Sequence, residues 1–259
     1  INIVTSFSPK GWETYAKKMI ESVNKFLADD LHLTAYYHDF TDEQIKEFPK
    51  TNKITFKNLN EVDEMIIYRE EMKLHDGTEG GKMPYNWRLD AIKWCHKVYA
   101  LTDFSFKLVE KSVQAGWVVW LDADIILKKP VNKQDLFGII PLGSELVHLG
   151  RKDVDYSETS FMAFNLNTVP PLDLLGDMRG LYNSHEVLSY REWHDGFIFE
   201  RLFNIYGAHG LKKHSLTPDV RGLDAFNNSP LANYFEHFKG NRKDLLSDKT
   251  TPDVVGPKR

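Results

Sequence analysis

Apolar residues crowd positions 1–7 and stop at Ser8-Pro9-Lys10-Gly11, the pattern of a strand followed by a break. Over residues 12–27 the period changes. Tyr15, Ala16, Met19, Ile20, Val23 and Phe26 recur three and four apart, which predicts a helix buried along one stripe. Residues 31–38, with Thr, Tyr and aliphatic side chains, and residues 54–59 read as two further strands. Strand, helix, strand predicts an open α/β sheet with crossover helices. Ligands of such sheets bind beyond the carboxyl ends of the strands, so segment 6–12 is expected to face one. Residues 61–73 suggest a helix. Residues 75–81 hold three glycines and read as a surface loop or a lid, without the strand-then-glycine spacing of a phosphate loop.

Asn86 is an expected N-cap for a helix over residues 87–108. Leu89, Ile92, His96 and Tyr99 mark its buried stripe. Asp90, Lys93 and Lys97 fall on another face, with Arg88 in the first turn, and read most simply as a solvated, ion-paired surface. Gly116 is followed by five apolar residues, the signature of a strand buried on both faces. That strand ends in Asp122-Ala123-Asp124, and an i, i+2 spacing on extended backbone puts both carboxylates on one side. Two such acids repel unless a cation lies between them, and a hard divalent ion with oxygen ligands suits them; a solvated turn is the bland alternative. Residues 158–167 predict another strand and 168–182 a helix. His194-Asp195-Gly196 leads into an apolar helical run, where the Asp is either an N-cap or part of a site. Near the end, His237 stands among Lys239, Arg242 and Lys243, cations expected to keep its imidazole neutral and available as a ligand. Residues 247–259 read as a loose tail.

Composition narrows this picture. At 259 residues, 42% hydrophobic and 27% charged, the chain can build a large core and is neither disordered nor membrane-spanning in character. The single cysteine, Cys95, forbids an intrachain disulfide and a multi-cysteine zinc site, and fits a soluble cytoplasmic protein. No leader pattern opens the chain, although without an initiator Met a segment upstream stays open. A net charge of −4 argues against a basic nucleic-acid clamp, leaving only a local patch from Lys10, Lys17, Lys18, Lys212, Lys213, Arg242 and Lys243.

With Leu121-Asp122-Ala123-Asp124 in mid-chain and His237-Phe238-Lys239-Gly240-Asn241-Arg242-Lys243 near the end, the sequence resembles the GT-A glycosyltransferases. It is most similar to the glycogenin and lipopolysaccharide galactosyltransferase group and to related phage and bacterial enzymes that carry an Arg88/Asp90/Lys97-type helix. The resemblance implies one α/β GT-A domain over residues 1–246, with a mixed, mainly parallel sheet flanked by helices. Residues 1–143 would be the nucleotide-binding half and 144–246 the acceptor and donor-sugar half. It implies Mn2+ or Mg2+ held by Asp122, Asp124 and His237. Thr5, Ser6 and Phe7 would meet the nucleotide. Arg88, Asp90, Lys97, Asp122, Ala123, Lys239, Gly240 and Lys243 would line the sugar-diphosphate. Thr159, Ser160, His194 and Gly196 would approach the donor sugar, with Asp195 and Glu158 as candidate bases. Glu158-Thr159-Ser160 stands where the group carries Asn-x-Gly, and Asp195-Gly196 where it carries Asp-Gln. The implied reaction moves a hexose from a nucleotide sugar, UDP by default and with retention, to a hydroxyl on a glycan, a small molecule or a modified DNA base. A haloacid-dehalogenase-like phosphatase and a non-catalytic sugar-binding protein on the same frame are the alternatives.

Overall fold

The computed structural model describes residues 1–222 and 224–240. β1 (Asn2–Phe7) is followed by a continuous helical run that Ser8 starts, its hydroxyl accepting the Gly11 N–H at 3.2 Å. The run comprises α1 (Pro9–Gly11), a π-turn (Trp12–Ala16) and α2 (Lys17–Phe26). β2 (His32–Tyr37) and β3 (Ile54–Asn58) flank α3 (Asp42–Ile45), a single turn closed by a capping box between Thr41 and Gln44. α4 (Asp63–Glu71) leads into the glycine loop, where Gly77, Gly80 and Gly81 all have positive φ.

The long helix α5 (Ala91–Lys111) begins later than its sequence suggests. Asn86 caps a separate 3-10 turn (Trp87–Leu89), and Asp90 caps α5, accepting the Lys93 N–H at 2.8 Å. Its buried stripe also differs, running through Ala91, Cys95, Val98, Tyr99 and Thr102. The nominally solvated Lys97 is 8% exposed. β4 (Trp117–Leu121), β5 (Ile125–Leu127), α6 (Lys133–Ile139), β6 (Leu146–Leu149) and β7 (Glu158–Asn165) follow. The chain then forms α7 (Val169–Asn183), α8 (Asp195–Ala208), β8 (Lys213–Ser215) and β9 (Phe235–His237).

Seven strands form one sheet in the order β3-β2-β1-β4-β7-β6-β8. β3, β2, β1 and β4 are mutually parallel. β7 runs antiparallel to both β4 and β6, and β8 is parallel to β6. The mixed, mainly parallel sheet flanked by helices that the sequence predicts is therefore present. It passes without a break across residue 143, because β7 pairs with β4. Alternate residues feed a core on each face. Val118 and Trp120 join one with α5, α7 and α8, while Val119 and Leu121 join the other with α2 and α6. β5 and β9 form a separate antiparallel pair in which His237 lies opposite Ile125. Among the described residues no helix is long and apolar enough to cross a membrane.

Candidate active site

The parallel strands set the position of the site. β1 and β4 end side by side, and the turn after β4 carries Asp122, Ala123 and Asp124. The β5–β9 pair then brings His237 to the same place from far along the chain. The Phe238 N–H donates to the Asp124 carbonyl at 3.0 Å, and Asn227 clasps the His237 backbone with two hydrogen bonds of 3.0 Å. Ligand atoms of Asp122, Asp124 and His237 lie within 4.8 Å of one another, with Asp124 and His237 only 4% and 3% exposed.

This donor set fits a divalent ion. Two carboxylates and one imidazole converge, a mixed oxygen and nitrogen set of the kind that can hold such an ion. The surroundings of His237 differ from their sequence-based expectation, however. Among the described residues its nearest charged neighbours are anions: Nε2 is 3.3 Å from Asp124 Oδ1 and Nδ1 is 3.0 Å from Glu158 Oε1. Burial alone pushes this imidazole down, but the two carboxylates overcome it and carry it up to about 9. The β5–β9 pairing, invisible in local sequence, is the reason. Burial likewise works to raise Glu158, and the close His237 imidazole with the Lys239 charge outweighs it, holding the carboxyl at about 2.

Beside these three residues lies a buried cation. Lys97 Nζ is 2.8 Å from Asp122 Oδ1, 2.6 Å from Asp195 Oδ2 and 3.0 Å from the Thr159 carbonyl. Desolvation opposes its charge, yet the two carboxylates prevail and raise its pKa. Asp195 opens α8 at 2% exposure. Its burial is offset first by Lys97 and then by His194, so its carboxyl is held below the usual range. The Thr159 hydroxyl also donates to Asp195 at 2.6 Å. Asp195 is not the helix cap. His194 is, accepting the Phe197 N–H at Nδ1 while Nε2 meets Glu192 at 3.0 Å. Gly196 permits this packing, since a Cβ there would come 3.1 Å from the Ser157 carbonyl.

The other expected residues divide. Thr5 is fully buried at the end of β1, and its hydroxyl has no hydrogen-bond partner among the described residues. Ser6 is half-buried, whereas Phe7 packs its ring against Trp12, Phe40 and Phe48, so only its backbone is available to a ligand. Ser160 donates to Glu158 at 3.0 Å. Arg88 is exposed, stacked 4.6 Å over Trp87, with Nε 3.3 Å from Glu192. Asp90 accepts from Tyr85 as well as from its own helix. Lys239 lies 3.4 Å from Glu158, and Gly240 takes φ +61°. Lys243 and the tail over 247–259 lie outside the described residues. Sequence reasoning missed Trp120, whose indole N–H donates to Asp122 at 2.7 Å. The i, i+2 spacing along β4 was the available signal. It also missed Asn227, for which no local signal exists.

A second imidazole-rich group, His38, Asp39 and His96, lies just after β2. Its rings stack in parallel at 3.7 Å and 6°, so their in-plane lone pairs run alongside each other instead of converging. Asp39 is already gripped by both Arg69 nitrogens at 2.9 Å. A divalent ion there would face a guanidinium, and the group is a polar network rather than a metal centre. A cleft lined by Ile1, Asp29, Asp30 and Lys53 lies at the opposite, amino-terminal ends of β1–β3.

No protein-family profile matches the chain, and no curated protein matches it at a significant level. Among solved structures it is similar to mouse xyloside xylosyltransferase 1 in its apo form. The likeness covers 83% of this chain and 85% of that one at 12% identity, with a TM-score of 0.49.

Proposed function

We propose that the protein is a metal-dependent glycosyltransferase that moves a hexose from a nucleotide diphosphate sugar, UDP by default, to an acceptor hydroxyl. The observation that supports this reading is the convergence of Asp122, Asp124 and His237 beside the buried Lys97–Asp195 pair, all at the carboxyl ends of parallel strands. A divalent ion held by the three ligands supplies a Lewis acid that stabilises negative charge on the departing diphosphate. The chain's own residues do the rest. Lys97 fixes Asp122 and Asp195 at a set separation, and Thr159 adds a second hold on Asp195. Asp195, kept ionised and pinned at Oδ2, suits electrostatic support of positive charge growing at the anomeric carbon better than removal of a proton. With that carboxylate committed, the acceptor proton leaves with the diphosphate, which corresponds to retention. Thr5 and Ser6, in the carboxyl-terminal half of β1, would meet the nucleotide.

Donor hydrolysis across a panel of nucleotide sugars with Mn2+, Mg2+ or EDTA tests the reading. One donor should be hydrolysed in a metal-dependent way, and Asp124→Ala should lower that rate at least about 100-fold while leaving the fold intact. Full activity of Asp124→Ala in EDTA would sink the proposal. Hydrolysis of para-nitrophenyl phosphate without a response to any sugar donor would favour a phosphatase.

A further inference from the structure

We propose that Glu158 is the positioning residue of His237, orienting the imidazole so that Nε2 faces the metal; the inference rests on the metal reading of Asp122, Asp124 and His237. His237 Nδ1 lies 3.0 Å from Glu158 Oε1, while Nε2, on the other side of the ring, is 3.3 Å from Asp124 Oδ1. Both the His237 and Glu158 side chains are 3% exposed, so water does not compete for either nitrogen. A carboxylate at Nδ1 fixes the proton there and leaves the Nε2 lone pair for an ion, as in carboxylate–histidine–metal arrangements.

Glu158 is itself held from four directions. Ser160 Oγ donates to Oε1 at 3.0 Å, and His237 Nδ1 lies 3.0 Å from the same oxygen. The Ala225 N–H donates to Oε2 at 2.9 Å, and Lys239 Nζ approaches the same oxygen at 3.4 Å. Both carboxylate oxygens are thus engaged, and at 3% side-chain exposure Glu158 is set to act through His237 and not on the reacting atoms. It also ties the first residue of β7 to the segment 225–239, so strand and ligand move together.

The test is a titration of the protein with Mn2+ alone, followed by the electron paramagnetic resonance signal of the free ion, with no donor present. Glu158→Gln keeps the size and loses the charge. It should weaken Mn2+ binding by about 10- to 100-fold, and Ser160→Ala, which loosens Glu158 without touching His237, should weaken it less but in the same direction. Thermal unfolding in EDTA establishes that each variant is folded. A folded Glu158→Gln that binds Mn2+ within about twofold of wild type overturns the proposal. Should Glu158→Gln fail to fold, Ser160→Ala carries the comparison, and unchanged affinity there overturns it. Wild-type protein that binds Mn2+ no better than Asp124→Ala removes the metal reading itself, and the proposal with it.

Discussion

Lys97 shows what one residue contributes. The residue is 8% exposed and its ammonium lies within 2.8 Å of two carboxylates, one of them on Asp195, a residue only 2% exposed. Replacing it by an uncharged side chain of similar length leaves Asp195 buried without a cation. Lys97→Met should therefore lower unfolding stability by about 3–5 kcal/mol in urea titrations, and donor hydrolysis should fall with it. A loss below about 1 kcal/mol would mean that water replaces the ammonium. The sequence placed Lys97 on a solvated face because helical spacing reports only neighbours on the same helix. Its partners come from the turn after β4, from β7 and from α8, and no periodicity encodes them. Trp120 was closer to legible, since alternation along a strand predicts which residues share a side with Asp122.

At the scale of the element, α8 and the β5–β9 pair do the positioning. The first turn of α8 carries Asp195, and a carboxylate suits a helix amino terminus. Gly196 lets that turn pack against the start of β7, where a Cβ would meet the Ser157 carbonyl at 3.1 Å and the His194 ring at 3.3 Å. Because one of those neighbours is backbone, Gly196→Ala should cost about 1–3 kcal/mol and shift Asp195 enough to depress turnover. A variant as stable and active as wild type would show that the helix start yields freely. β1 to β4, β7 and the longer helices were readable from hydrophobic period. β5, β6, β8 and β9 were not, because three or four residues carry too little pattern. β5 and β9 form because Ile125, Leu127 and Phe235 bury in the same core.

Stability against pH belongs to the whole molecule, and one buried histidine marks it. His148 lies on β6 with Nδ1 2.7 Å from Ser157, and Ser157 donates to Glu200 of α8 at 2.6 Å. Burial, opposed by Glu200 and reinforced by Lys213 and His214, lowers His148 to about 4 from an ordinary 6.5. Between those values the unfolded chain takes up a proton that the folded chain refuses. Stability contributed by the neutral ring is thus intact above pH 6.5 and lost as pH falls toward 4, by up to about 3 kcal/mol. Urea unfolding across that window should show a steeper fall for wild type than for His148→Gln; parallel curves would exclude this origin. By itself the sequence determined the α/β class, the order of the main strands and helices, and the two aspartates ending a buried strand, because these follow from local period and spacing. Only the tertiary structure decided that Lys97 is a buried bridge, that His237 meets anions, and that Glu158 faces an imidazole. Each depends on contacts between residues distant in sequence, which chain packing creates and no local pattern records.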